Sequence, residues 1–258
     1  MNRRTGLHDI DESGYLSMSI VDYQAWRDGG LHALFSVFRH QDINAPLTPL
    51  LSAAVYAVLG RVSIIGAYAV QLVSYGVIVL LSYRLARRLC GGLPALTAAA
   101  AVGALPLMLD YSHEYSFALP ATALMTIALW AAVNSEQLTR LRWAVVLGCA
   151  AGAMVITRTM TLAFIPGLAL VVGAQIAVSP NRRRSSFAVV LAVLGMLAVA
   201  APWYEAQWSG VVQYLGSFGY GDQSTINQIG TGLWTFIAGN INQYVWVPLA
   251  AVLFAGGV

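Results

Sequence analysis

The chain has 258 residues, of which 58 % are hydrophobic and 10 % are charged, and its formal net charge is +3. A soluble domain carries roughly 25 % charged residues, so this composition excludes a soluble enzyme and a disordered tail. A net charge this small, spread along an apolar chain, also excludes a nucleic-acid binder. The composition therefore predicts an all-α, polytopic membrane protein.

Residues 1–61 precede the first long apolar run and contain two helical patterns. Between residues 15 and 38, apolar side chains recur at helical spacing with an interruption at Gly29–Gly30, which predicts two short amphipathic helices joined at the glycines. Ala45–Gly60 is short for a membrane span and fits an interfacial helix; the alternative is that it crosses the membrane. We expect residues 1–61 to form an extracytoplasmic loop with interfacial helices, following a first helix that is missing upstream.

Residues 62–258 are predicted to form a transmembrane bundle, because a hydrocarbon core about 30 Å thick requires about 20 apolar residues per helix. A seventh apolar run begins near Tyr244 and continues to Val258, so we expect the bundle to be truncated at its C-terminus. The six complete runs are residues 62–83, 93–110, 115–134, 143–157, 159–178 and 186–204.

The arginines predict the orientation of these spans, since loops that face the cytoplasm are enriched in Arg and Lys. Every second loop is rich in arginine, and the loops between them contain Arg158 as their single basic residue. We therefore expect the Arg-rich loops on the cytoplasmic side of a bacterial plasma membrane and the active site on the other side. The Arg-rich loops contain Arg84, Arg87, Arg88, Arg140, Arg142, Arg182, Arg183 and Arg184.

The densest polar cluster is the segment His8–Glu12, which Tyr15 follows. A carboxylate in this segment could act as a general base. The spacing of Asp9 and Asp11 would also let both side chains bind a divalent metal together with a substrate phosphate. The alternative is a hydrated turn beside the membrane, and the local sequence leaves both interpretations open.

A second polar cluster runs from Arg39 to Leu47 and includes His40 and Asp42. It leads into a proline-started helix, whose N-terminal backbone N–H groups could bind an anion. The alternative is an interfacial helix that Asn44 caps.

Two further polar features fall in the predicted outer loops. His113 and Glu114 lie at the mouth of two spans. Arg158 opposes the positive-inside pattern and therefore needs a partner, which is either a carboxylate such as Glu114 or a phosphate on a ligand.

Four segments occur in an order that is typical of one superfamily. Asp11–Tyr15 is an acidic pair with a tyrosine three residues after the glutamate; Ala45–Gly60 is a short helix that begins with Pro-Leu; Tyr83–Leu89 ends a span; and His113–Tyr115 is a polar opening before the next helix. In these features the chain resembles the first half of the GT-C superfamily of membrane glycosyltransferases, which includes protein O-mannosyltransferases and lipid A aminoarabinose transferases.

The resemblance implies a GT-C-like helical bundle and the transfer of a sugar from a polyprenyl-phosphate donor to a lipid, glycan or protein acceptor at the outer membrane face. It implies that Asp11 is the base of an inverting displacement, with Glu12 as the second catalytic residue. The candidate substrate-binding residues are then Tyr15, His40, Asp42, His113, Glu114 and Arg158.

The chain departs from the superfamily pattern before Pro46. Asn44 and Ala45 stand where related enzymes have a charged residue or a second proline, so a family lysine or histidine that would meet the donor phosphate is not in place. His40 or Arg158 would have to replace it.

A transporter or flippase and a non-catalytic scaffold subunit are the alternative functions. Transporters carry ionisable residues near the middle of the bilayer, whereas the predicted spans have none at their centres and the polar residues collect at one face. This pattern favours an enzyme that acts at the membrane surface over a transporter. A scaffold is compatible with a purely structural role for each polar cluster.

Overall fold

The computed structural model describes residues 10–40 and 45–219, and every regular element within them is helical. Asp9, Asp42 and the apolar run near Tyr244 lie outside the described residues, and for Asp11 and His40 only the backbone is described. A 3₁₀ segment, Thr159–Phe164, precedes α8. The α-helices are α1 Ile10–His40, α2 Leu47–Leu59, α3 Ile64–Cys90, α4 Gly92–Gly103, α5 Pro106–Ser112, α6 Ala118–Asn134, α7 Leu141–Val155, α8 Ile165–Val178 and α9 Arg182–Tyr214.

Helix α1 is broken at Gly30, whose φ of 64° and ψ of −154° are not helical. Glycine adopts a positive φ without the steric cost of a Cβ atom, so the chain can change direction at this residue. The predicted pair of helices joined at Gly29–Gly30 is confirmed. The first half of α1 packs on α2 through a cluster that includes Tyr15, Tyr23 and Tyr56.

Helix α2 begins at Leu47 and is followed by Gly60 in the left-handed conformation, with a φ of 68°. The interpretation of Asn44 as its cap is wrong, because Pro46 precedes the first helical residue and no side chain caps it. The N–H of Leu47 instead donates to the carbonyl oxygen of Ile156 at 3.1 Å. This hydrogen bond ties the start of α2 to the end of α7 and uses one of the N–H groups that could have bound an anion.

All six complete apolar runs form helices. Among the described residues, α3, Thr159–Val178 and Arg182–Ser217 are long and apolar enough to cross a membrane, and α4 with α5 makes a fourth candidate that is bent by 58°. Pro106 starts α5, and a proline disfavours helical geometry in the residue before it, which accounts for the break. Helices α6 and α7 are shorter apolar helices of 17 and 15 residues.

The main core lies between α6, α7 and α9. Gly148 and Gly152 let α7 approach the backbone of α9: a Cβ atom on Gly148 would lie 1.9 Å from the carbonyl oxygen of Ala192. Helix α9 continues through Pro202, and Trp203 beside it is fully buried. This tightly packed pair supports the segment after α7, which carries Arg158.

Candidate functional site

The predicted site residues lie on three segments that meet around the loop between α5 and α6, residues 113–117. Glu12 and Tyr15 belong to the first two turns of α1, His113 and Glu114 belong to the loop itself, and Arg158 precedes the 3₁₀ segment. Helix α6 begins at Ala118 rather than at residue 115 as predicted, so the loop is longer than the sequence indicated. The extra loop residues make the contacts that join the three segments.

Glu12 connects the start of α1 to this loop. The residue is 1 % exposed, and its Oε1 atom accepts a hydrogen bond from the backbone N–H of Tyr115 at 3.0 Å and another from the hydroxyl of Tyr68 in α3. Burial penalises the charged form of a carboxylate, and hydrogen bonds to it offset that cost. The contacts therefore bind the first turn of α1 to both α3 and the loop.

An aromatic path leads from α1 to Arg158. The ring of Tyr15 is 6.1 Å from the ring of Phe117, measured between centroids. The guanidinium carbon of Arg158 lies 4.0 Å from the centroid of the same Phe117 ring, a distance typical of a cation–π contact. Tyr15 and Arg158 thus contact the same phenylalanine although they are far apart in the sequence.

The side chain of Tyr115 extends from the loop into a buried polar layer beside α2. Its hydroxyl is 2.6 Å from the Oγ atom of Ser52 and donates to the carbonyl oxygen of Thr48 at 3.3 Å. Burial raises the pKa of this phenol, and the hydrogen bond with Ser52 opposes that effect, so Tyr115 is neutral at physiological pH. Asp22, which is 1 % exposed, acts electrostatically on the same phenol and was not singled out from the sequence.

His113 and Glu114 occupy the outer part of the loop. His113 is exposed, and its Nδ1 atom is 2.7 Å from the carbonyl oxygen of Leu109 and 3.1 Å from the Oγ atom of Ser112. The backbone N–H of Glu114 donates to the carbonyl oxygen of Tyr111 at 3.3 Å. These bonds shape the end of α5 immediately before Tyr115, which holds Glu12.

The other end of α1 contacts α9. The carbonyl oxygen of Arg39 accepts a hydrogen bond from the side chain of Gln207 at 2.9 Å. The guanidinium of Arg39 lies 3.6 Å from the carboxylate of Glu205. The backbone of His40 follows Arg39, beyond the break at Gly30. The described contacts therefore place His40 near α9 and do not join it to the Glu12 cluster.

A metal site is not found in the part of the chain that the structure describes, where His, Cys, Asp and Glu side chains form no group of three or more. The predicted ligands Asp9 and Asp11 have side chains outside that part. The metal site at these two residues stays a prediction.

The residues of α3 that hold the loop were not predicted from the sequence. Tyr68 donates to Glu12, and Gln71, one turn further on, donates through its Nε2 atom to the carbonyl oxygen of Ser116 at 2.6 Å. Both lie on one face of the helix because residues three apart are neighbours. The available signal was Gln71, an amide side chain inside a run of apolar residues.

The described helices are those of an integral membrane protein: three are long and apolar enough to cross a membrane, and a bent pair makes a fourth candidate. The fold is similar to that of ArnT from Cupriavidus metallidurans in the apo state, with a TM-score of 0.59 and 18 % sequence identity. The similarity covers 88 % of this chain and 40 % of that chain, and at this identity it concerns the fold. It confirms the predicted all-α, GT-C-like bundle.

The chain belongs to the dolichyl-phosphate-mannose-protein mannosyltransferase family, whose sequence profile matches residues 42–204. Together with the fold, this membership confirms the resemblance to GT-C membrane glycosyltransferases. No curated protein sequence matches the chain.

Proposed function

We propose that this chain is part of a membrane glycosyltransferase that moves a sugar from a polyprenyl-phosphate donor to a lipid, glycan or protein acceptor. Family membership and fold support this class of reaction. The observation that carries the proposal is the convergence of the first turn of α1, residues 113–117 and Arg158. It brings an acidic pair to the same end of the bundle as a cation that is suited to a phosphate.

In the proposed reaction, a nucleophilic group of the acceptor attacks the anomeric carbon from the face opposite the phosphate, and the configuration inverts. Asp11 takes the proton that the acceptor loses. The bond between the anomeric carbon and the phosphate oxygen breaks, and polyprenyl phosphate leaves with the electron pair. Phosphate is a good leaving group that needs its charge stabilised rather than protonated, and Arg158 provides that stabilisation.

The aromatic path suggests how the donor is held. Arg158 contacts the donor phosphate, and Tyr15 is assigned to the donor because its ring, like the guanidinium of Arg158, contacts Phe117. His113 and Glu114 are assigned to the acceptor because they lie on the outer part of the loop. These four assignments are parts of the proposal.

His40 and Asp42 are assigned to the donor side of the site. They precede Leu47, whose N–H is bonded to Ile156, and Ile156 lies two residues before Arg158. The start of α2 therefore lies beside the segment that carries Arg158. On that basis His40 and Asp42 are assigned to the donor phosphate.

The membrane side of the site is also part of the proposal. Residues 1–61 form its extracytoplasmic part and residues 62–258 its transmembrane bundle, in a bacterial plasma membrane with the Arg-rich loops in the cytoplasm. The distribution of arginine supports this orientation.

Substitution of the proposed base tests the function. Asp11→Asn should lower the rate of transfer by about 10²–10⁴-fold, which is the usual contribution of a general base. Turnover is measured as the release of polyprenyl phosphate from dolichyl-phosphate mannose and undecaprenyl-phosphate mannose by the intact protein, with a membrane extract as acceptor.

The matched control is Asp28→Asn. Asp28 lies on the same helix, is largely exposed and pairs with Arg27 at 2.9 Å, so its substitution should leave turnover unchanged. Transfer by Asp11→Asn above about one tenth of the wild-type rate would exclude Asp11 as the base.

A further inference from the structure

We propose that Glu12 acts as a hydrogen-bond acceptor that positions Asp11, and that Tyr68 is a positioning residue that acts through Glu12. The proposal rests on the proposed function, because it assigns the proton transfer to Asp11 alone. It changes the role of Glu12 from an acid–base group to the anchor of the first turn of α1.

The surroundings of Glu12 are those of an anchor. A general base must come within hydrogen-bond distance of the proton that it removes, which requires access to the acceptor. Glu12 is instead 1 % exposed, and its Oε1 atom already accepts hydrogen bonds from Tyr68 and from the N–H of Tyr115. Donors that stabilise the ionised form also make a carboxylate a weaker proton acceptor.

The donors belong to parts of the protein that are themselves fixed. The rings of Tyr68 and Tyr115 pack edge-to-face with their centroids 6.3 Å apart. The hydroxyl of Tyr115 is bonded to Ser52 in α2, and Gln71, on the same helix as Tyr68, donates to Ser116. The two donors are thus held by α2, α3 and the loop, and they define one position for the Glu12 carboxylate.

Asp11 directly precedes Glu12 in the first turn of α1, so the contacts that fix Glu12 also fix the backbone of Asp11. The first N–H groups of a helix have no partners within the helix, so contacts with the rest of the protein determine where the turn lies. A displacement of a reacting group by about 1 Å can cost about 10²-fold in rate. Loss of the anchor should therefore slow the chemical step without weakening donor binding.

Two substitutions of Glu12 separate the roles. The amide oxygen of Glu12→Gln can accept both hydrogen bonds, so this variant should keep more than about one tenth of the wild-type kcat, while loss of a base costs about 10²–10⁴-fold. Glu12→Ala has no acceptor and should lose about 10²-fold in kcat. The KM for undecaprenyl-phosphate mannose should be unchanged in both variants.

Tyr68→Phe tests the proposed positioning residue. It keeps the ring and removes the hydroxyl, so kcat should fall about tenfold, as expected for a lost hydrogen bond to a charged group. Because Tyr68 acts through Glu12, the double variant Glu12→Ala/Tyr68→Phe should be no slower than Glu12→Ala alone. The matched control is Tyr75→Phe, which removes a hydroxyl of α3 that donates to the carbonyl oxygen of Gly103 at 2.7 Å and should leave kcat unchanged.

Hydrogen exchange of the peptide over residues 113–117 gives a readout that does not require turnover. The amide of Tyr115 should exchange faster in Glu12→Ala than in the wild type, and at the wild-type rate in Glu12→Gln. Unchanged exchange in Glu12→Ala would refute the anchor itself.

The activity results have distinct meanings. A Glu12→Gln variant as slow as Asp11→Asn would assign acid–base chemistry to Glu12 and overturn the proposal. Equal losses in Tyr68→Phe and Tyr75→Phe, or no loss in Tyr68→Phe, would remove the role of Tyr68. Transfer by Asp11→Asn above about one tenth of the wild-type rate would instead overturn the assignment of the base on which this proposal rests, while hydrogen exchange would still decide whether Glu12 is an anchor.

Discussion

Arg158 combines two properties that suit an arginine for binding a phosphate. Its guanidinium carbon lies 4.0 Å from the centroid of the Phe117 ring, a cation–π contact that holds the charged group at the site. Arginine can contact an aromatic ring and still form paired hydrogen bonds to phosphate oxygens. The contact with Phe117 is therefore compatible with binding of a donor phosphate.

Arg158→Gln should raise the KM for undecaprenyl-phosphate mannose by about tenfold or more, because charge-assisted hydrogen bonds contribute about 1.5–3 kcal/mol. Arg142→Gln is the matched control, since Arg142 also contacts an aromatic ring, that of Trp143 at 5.6 Å, but lies in the first turn of α7, at the Arg-rich end of the bundle. The KM of Arg142→Gln for the same donor should equal that of the wild type. An unchanged KM in Arg158→Gln, measured by donor titration, would contradict the phosphate-binding role.

The sequence predicted Glu12 as a site residue but not what surrounds it. The acidic pair is visible because its members are adjacent, whereas Tyr68 and Tyr115 are 56 and 103 positions away in the chain. Spacing along the chain carries information only about neighbours on one helix or strand. Contacts between distant segments depend on how the helices pack, which hydrophobic periodicity does not specify.

Helices were more predictable than site contacts, because a long apolar run is a signal that each segment carries by itself. All six complete runs became helices, and Gly29–Gly30 marked the break in α1. The predicted cap of α2 was wrong by contrast, because the N–H of Leu47 donates to the carbonyl oxygen of Ile156. Ile156 lies at the end of α7, and the sequence near Asn44 does not indicate this contact.

The packing of α7 on α9 depends on glycine at the contact. A Cβ atom on Gly152 would lie 2.5 Å from the carbonyl oxygen of Met196, and one on Gly148 would be closer still to Ala192. Within a bilayer, where lipid is as apolar as the side chains, such close backbone contact is a main source of helix association. The pair is therefore sensitive to the addition of one methyl group.

Gly148→Ala should lower the free energy of unfolding by about 1–3 kcal/mol, as overpacking of a core does. The control is Gly173→Ala in α8, where an added Cβ atom would meet no atom within 4 Å; it should be neutral or stabilising, since alanine favours the helix by up to about 1 kcal/mol. The measurement is the thermal unfolding midpoint in detergent. Equal midpoints for the two variants would contradict the close packing.

The Arg-rich segments meet at one end of the bundle. Arg88, near the end of α3, donates to the side chain of Asn134, the last residue of α6, at 2.5 Å. Ser185, in the first turn of α9, donates to the carbonyl oxygen of Gln137 at 2.7 Å. Tyr115 precedes α6 and Arg158 follows α7, so both lie at the ends of these two helices that are away from the Arg-rich segments. The bundle thus has one basic end and one end that carries the proposed site.

Cysteine labelling in intact cells tests this polarity. In a protein with Cys90 and Cys149 replaced, Ser13→Cys should react with a membrane-impermeant thiol reagent, because Ser13 is exposed and follows Glu12. Arg183 is exposed in the first turn of α9, at the Arg-rich end, and Arg183→Cys should react only after the cells are opened. The reverse pattern would place the proposed site in the cytoplasm.

The short helices α6 and α7 also affect the lipid around the protein. At about 1.5 Å per residue, their 17 and 15 residues extend about 25 and 22 Å, less than a hydrocarbon core of about 30 Å. A bilayer adapts to short helices by becoming thinner beside them. The headgroups next to residues 113–117 should then lie closer to the middle of the bilayer, which would let the proposed lipid-linked donor reach this end of the bundle with more of its chain in the membrane.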